Sequence, residues 1–137
     1  MTQTQYNELP IEIERVPANL PKSDLIMGID LGTTYSCVAV VQDDYPKVIP
    51  SRKGQRTMPS IVALDDKGRI LVGEDAKKQL LINPTNTIYG SKRFIGRHFY
   101  SEEVATLAKY FSYSVVPIGE MEIGAQIGER IFSLPQV

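Results

Sequence analysis

The chain has 137 residues, enough for one ordinary domain and short of two. Its 42% hydrophobic and 23% charged residues fall in the globular range, and a formal charge of −1 supplies no global field for nucleic acid or an acidic membrane. A single cysteine, Cys37, rules out an internal disulfide, and no apolar stretch approaches the length that spans a bilayer.

Residues 1–24 read as a flexible tail, with three prolines and four acidic residues. They lack the basic start and apolar centre of a secretory signal and are too acidic for a transit peptide, which makes the cytoplasm the expected location. Residues 25–31 and 36–42 are β-branched-rich runs joined tightly, the pattern of a hairpin. Both runs are apolar on both faces, so they are expected at the centre of a covered sheet, with Cys37 a core residue. A third strand is expected at 47–50, then a polar loop, then strands 60–64 and 69–73 around the turn sequence "DDKG". Residues 74–82 form a predicted helix with acids in its first turn. "NPTN" breaks it. A second helix is predicted over 87–96, from Ile88, Ser91 and Ile95 at helical spacing with Gly96 as its stop. A third is predicted over 101–111, capped by Ser101. "YSVVPI", "EMEIG" and "RIFSL" then suggest a small sheet, with Gly119, Gly124 and Gly128 at hairpin turns. The order strands, helices, strands gives an α/β or α+β class. A chain that stops just after a strand, with no closing helix, is expected to be incomplete.

The chemistry concentrates in the connection between the first two strands. An acid at the end of a buried strand, Asp30, is costly unless it is exposed, paired or facing a cation. Gly32 lets the backbone approach a ligand with no Cβ in the way. Successive backbone N–H groups in a tight turn make an anion site, and Thr33 and Thr34 add hydroxyl donors. Together these suit a phosphate with a carboxylate beside it, as in a magnesium–nucleotide complex, with Asp30 holding the metal through water. A plain hairpin fits the same residues, since Asp and Gly are common turn formers, and this stretch alone does not separate the two readings. Neither G-x-x-x-x-G-K-[ST] nor G-x-G-x-x-G occurs. Lys92 reads either as a solvated surface lysine or as a cation reaching a transferred phosphate. Arg93 and Arg97 read as surface or interdomain charges. His98 is the only histidine, and no second His or Cys stands at zinc-ligand spacing. Tyr110, Phe111 and Tyr113 are expected to pack in the core.

In order along the chain, "GIDLGTTYSCVAVV", "RTMPSIVAL", "ILVGEDAKKQ", "NPTNTIYGSKRFIGR" and "FSLPQV" closely resemble successive segments of the nucleotide-binding domain of the seventy-kilodalton heat-shock (DnaK-type) chaperones. The resemblance covers residues 25–137 and implies an α/β chain with a partial actin-like ATPase fold, the first part of its first lobe. It implies ATP or ADP with Mg2+ as cofactors. It places Gly32, Thr33, Thr34 and Tyr35 on the phosphates, Asp30 near magnesium, and Lys92 where it helps position the attacking water and the γ-phosphate. Partners implied for the complete protein are unfolded polypeptides, a J-domain co-chaperone and a nucleotide exchange factor, with no nucleic acid and no membrane. The family's second phosphate loop, its other carboxylates, its second lobe and its peptide-binding domain have no counterpart before Val137. Because catalysis here is mostly positioning, the isolated chain is expected to hydrolyse no ATP, and its strands are expected to leave open apolar edges. Two other readings stand beside this one: a non-enzymatic remnant or interaction module, and, more weakly, an actin-fold sugar kinase.

Overall fold

The structure, a computed structural model, describes residues 27–136. The expected tail and the first two residues of the first strand lie outside these. β1 (Met27–Leu31) and β2 (Tyr35–Gln42) form the expected antiparallel hairpin, in a register that sets Asp30 opposite Cys37 and Leu31 opposite Ser36. The chain then turns through Asp43 and Asp44, whose φ angles of 53° and 63° lie in the left-handed region. Two such residues give a turn whose twist matches the strands it joins. β3 (Tyr45–Val48) returns along β2, two residues earlier than 47–50. β4 (Met58–Pro59) pairs with Tyr35 and Ser36 of β2 and completes a four-stranded sheet.

A second sheet has the order β6-β5-β7, built from β5 (Ile61–Leu64), β6 (Ile70–Val72) and β7 (Thr87–Tyr89). The "DDKG" turn joins β5 to β6. Helix α1 (Glu74–Ile82) forms where its pattern placed it and lays buried Ala76 toward this sheet. "NPTN" does break it, passing into a 3-10 turn at Pro84–Asn86.

The helix expected over 87–96 does not form. Residues 87–89 are β7, and only Ser91–Arg93 turn helically, as a 3-10 turn. Thr87 and Ile88 are β-branched and pair with Ala63 and Val62, and Ile88 is fully buried. Gly90 then adopts a left-handed conformation, φ 62°, which cannot continue a right-handed helix. Burial on a sheet outweighs a weak helical spacing here.

Helix α2 (Glu102–Ala108) is shorter than 101–111: Ser101 is its cap and not its first residue, and the helix ends before Lys109. The Ser101 hydroxyl accepts the Val104 N–H at 3.3 Å. The last sheet follows as expected, with β8 (Ser114–Ile118), β9 (Glu122–Ile127) and β10 (Arg130–Ser133) in the order β10-β9-β8. Gly119 and Gly128 serve its hairpin turns with positive φ. Gly124 does not. It lies within β9, where a Cβ would stand 2.6 Å from the Ile118 side chain, so the glycine is there for close packing.

The main core lies between α2, β7 and the last sheet. Ile88, Phe94, Val104, Tyr113, Ile127 and Phe132 are among its members. Phe111 packs against Tyr89, Phe94 and Tyr113 with ring centroids 5.0–5.3 Å apart. Tyr113 is buried, its hydroxyl donating to the Tyr89 carbonyl at 3.0 Å, and burial pushes its pKa up. Tyr110 departs from the expected cluster and is exposed. The first sheet departs further. Every residue of β1 is exposed and Cys37 is only half-buried, because no second layer covers these strands among the described residues. No helix there is long and apolar enough to cross a membrane.

Candidate functional site

The site is built on the β1–β2 connection. The β1–β2 ladder closes at Leu31 and Ser36, leaving Gly32, Thr33, Thr34 and Tyr35 between the paired ends. The turn is too tight for a side chain at its first position. A Cβ on Gly32 would lie 2.2 Å from the Tyr35 carbonyl oxygen. Thr33 and Thr34 are exposed, and their hydroxyls have no hydrogen-bond partner among the described residues. Donors left free at the tip of a rigid turn are available to an anion.

Lys92 comes to this turn from 61 residues away, its ammonium donating to the Leu31 carbonyl oxygen. The 3-10 turn after Gly90 delivers it. The structure thus places its charge at the β1–β2 turn. Asp30, the next residue back along β1, is exposed and forms no ion pair among the described residues. Tyr35 sits at the other end of the turn, with the Lys77 ammonium 5.8 Å from its ring centroid. Asp30, Gly32, Thr33, Thr34, Tyr35 and Lys92 are therefore brought together in one region.

The sequence assigns no role to Ser60 or Ser36, and Arg93 is expected from it only as a surface or interdomain charge. Ser60 sits between β4 and β5 and touches the turn twice: its hydroxyl donates to the Gly32 carbonyl at 2.8 Å, and its N–H donates to the Thr34 carbonyl at 2.9 Å. Ser36 bonds the Ser60 hydroxyl at 2.8 Å. Arg93 lines a cavity of about 300 Å³ together with Thr33, Thr34, Ser60, Tyr89 and Phe111. A serine after a proline carries no spacing signal for either contact. The "KR" pair did mark a charge at 93, and only the fold shows which face it takes. Arg97 instead pairs with Glu103, and His98 lies apart, on a different cavity.

No group of three or more His, Cys, Asp or Glu side chains gathers among the described residues. The donor set here is one exposed carboxylate beside a turn. It suits a hard cation that keeps its waters and takes the remaining ligands from a phosphate, and it does not form an all-protein cage.

A mixed α/β chain of several sheets, with a lysine directed at a glycine–threonine turn between its first two strands, has the parts of a nucleotide-binding domain. The family model for Hsp70 protein matches residues 26–137. The chain is 41% identical over 112 residues to the chaperone protein DnaK of Buchnera aphidicola subsp. Schizaphis graminum, covering 82% of this chain and 18% of that protein. It is 50% identical over 96 residues to a mitochondrial heat shock 70 kDa protein of Solanum tuberosum, covering 70% and 14%. Against the mitochondrial heat shock 70 kDa protein of Pisum sativum it is 42% identical over 116 residues, covering 84% and 17%. The chain belongs to the Hsp70 family. It spans less than a fifth of the length of these relatives.

Proposed function

We propose that residues 25–137 are the first part of a chaperone's nucleotide-binding domain, of actin-like fold, and that the β1–β2 turn faces the phosphates of ATP or ADP. The observation that carries this reading is the Lys92 ammonium at the Leu31 carbonyl, where β1 enters the turn. In this reading Gly32 admits the phosphates close to the backbone. The hydroxyls of Thr33 and Thr34 and the turn's N–H groups donate to phosphate oxygens, and Tyr35 closes the turn. Asp30 holds magnesium through water. Lys92 neutralises charge at the transferred phosphoryl group and orients the attacking water. A magnesium ion held there through Asp30 would supply positive charge to offset that of the phosphates.

Hydrolysis in the complete protein would serve the binding and folding of unfolded polypeptides, with a J-domain co-chaperone and a nucleotide exchange factor as further partners. The cytoplasm is the proposed compartment, although two relatives carry mitochondrial names. A non-enzymatic interaction module is the second reading, favoured by the exposed β1 strand. The sugar-kinase reading has no support beyond the shared turn.

Calorimetric titration of the chain with ADP and magnesium tests the first reading. Weak heat is expected, lost in Lys92→Ala, with no ATP turnover in either. No heat from the unsubstituted chain would favour the interaction module. Turnover that needs magnesium and disappears in Lys92→Ala would show that the chain has a complete catalytic site.

A further inference from the structure

We propose that Ser60 is a positioning residue for the phosphate-facing turn, and that it acts by fixing which way two peptide groups of the turn point. The proposal rests on the nucleotide reading given above and adds a part that sequence comparison does not assign. Ser60 holds two carbonyls of the turn from one side. Its hydroxyl donates to the Gly32 oxygen at 2.8 Å and its N–H to the Thr34 oxygen at 2.9 Å. Since the Ser60 proton is used on Gly32, Ser36 is the donor in the 2.8 Å contact between the two hydroxyls. A short relay results, from Ser36 to Ser60 to the turn, and both serines are half-buried.

The consequence follows from peptide planarity. In a trans peptide the C=O of one residue and the N–H of the next belong to one plane and point in opposite directions. Tying the Gly32 carbonyl to Ser60 therefore aims the Thr33 N–H away from Ser60. Tying the Thr34 carbonyl does the same for the peptide that links Thr34 to Tyr35. Lys92 holds the carbonyl of the preceding peptide, that of Leu31. A flip of either peptide held by Ser60 would turn a carbonyl dipole toward a bound anion and remove a donor from it. A glycine-containing turn flips easily, so the bonds from Ser60 supply the rigidity that glycine takes away. Preorganised donors bind an anion without the cost of ordering them at that moment.

The test is an NMR titration of the 15N-labelled full chain with inorganic pyrophosphate and magnesium, a probe of the phosphate end alone. In Ser60→Ala we expect about tenfold weaker binding, near one lost charge-assisted hydrogen bond. We also expect a moved Thr33 amide signal and faster Thr33 amide exchange, with β9 signals unchanged. Ser60→Thr keeps both donors and should restore all three quantities, a rescue that a purely space-filling role would not show. Ser36→Ala breaks only the relay and should give a smaller loss. Unchanged affinity and unchanged Thr33 exchange in Ser60→Ala would overturn the proposal. If the unsubstituted chain binds no pyrophosphate, the nucleotide reading fails. Ser60 is then judged on the Thr33 amide alone: a moved signal with faster exchange in Ser60→Ala supports its role, and no change overturns it.

Discussion

Gly32 shows how narrow the tolerance is at a single position. A Cβ there would meet the Tyr35 carbonyl oxygen at 2.2 Å, and that oxygen is main chain, so it cannot swing aside. Gly32→Ala must therefore move the backbone of the turn itself, at a cost of about 1–3 kcal/mol for forcing atoms into filled space. We expect the amide signals of Thr33, Thr34 and Tyr35 to shift in this variant and its heat with magnesium ADP to vanish, while the signals of β8–β10 stay in place. Normal magnesium ADP binding by Gly32→Ala would show that the turn is not the phosphate site. The turn was legible in the sequence because its glycine, its threonines and its acid are adjacent. Ser60 was not, because its contacts reach Ser36 and Gly32 across 24 and 28 positions, and nothing local marks a serine for such a bond.

The same division holds for elements. Helix α1, the β1–β2 and β5–β6 hairpins and the last sheet were legible because each is specified by its own residues. β7 was not, because Thr87 and Ile88 become a strand only on meeting Ala63 and Val62 of β5. The β5–β6 turn is the clearest local case. Asp65 accepts the N–H groups of Arg69 and Lys67 at 2.8 and 2.9 Å and pairs with the Arg69 side chain at 2.7 Å. These bonds favour the ionised carboxylate, the Arg69 N–H foremost, and hold its pKa below the ordinary 3.8. A folded pKa below the unfolded one means that the contribution to stability is present above 3.8 and is lost as the pH falls through the folded value. An NMR pH titration should give an Asp65 midpoint below 3.8, and Arg69→Ala should raise it toward that value. A midpoint at or above 3.8 would mean that the turn does not depend on this carboxylate.

At the scale of the whole molecule, apolar burial is uneven. The core around Phe94 and Phe132 closes on itself, each ring being 1% exposed. The first sheet carries Met27, Ile29 and Leu31 at 54%, 66% and 59% exposure, so its strands are held by ladder hydrogen bonds with little apolar burial behind them. Elements with few buried contacts open at lower free energy than the core does. Hydrogen exchange is therefore expected to separate the chain in two, with amides of β1–β3 exchanging early and those of β9 persisting longest. The same exposed side chains should drive concentration-dependent association, measurable by sedimentation velocity and reduced by Ile29→Lys, which charges the open face without touching the core. Phe132→Ala should do the reverse. It removes a buried ring at a cost of about 3–5 kcal/mol, collapsing the slow-exchanging class and leaving the early one where it was. Uniform exchange across both regions, together with one sharp unfolding transition of a monomer, would show that β1–β3 and the core form a single cooperative unit. In that case the ladder bonds to β4, and the Ser60 contacts that follow it, couple the turn to the core more tightly than its exposed strands suggest.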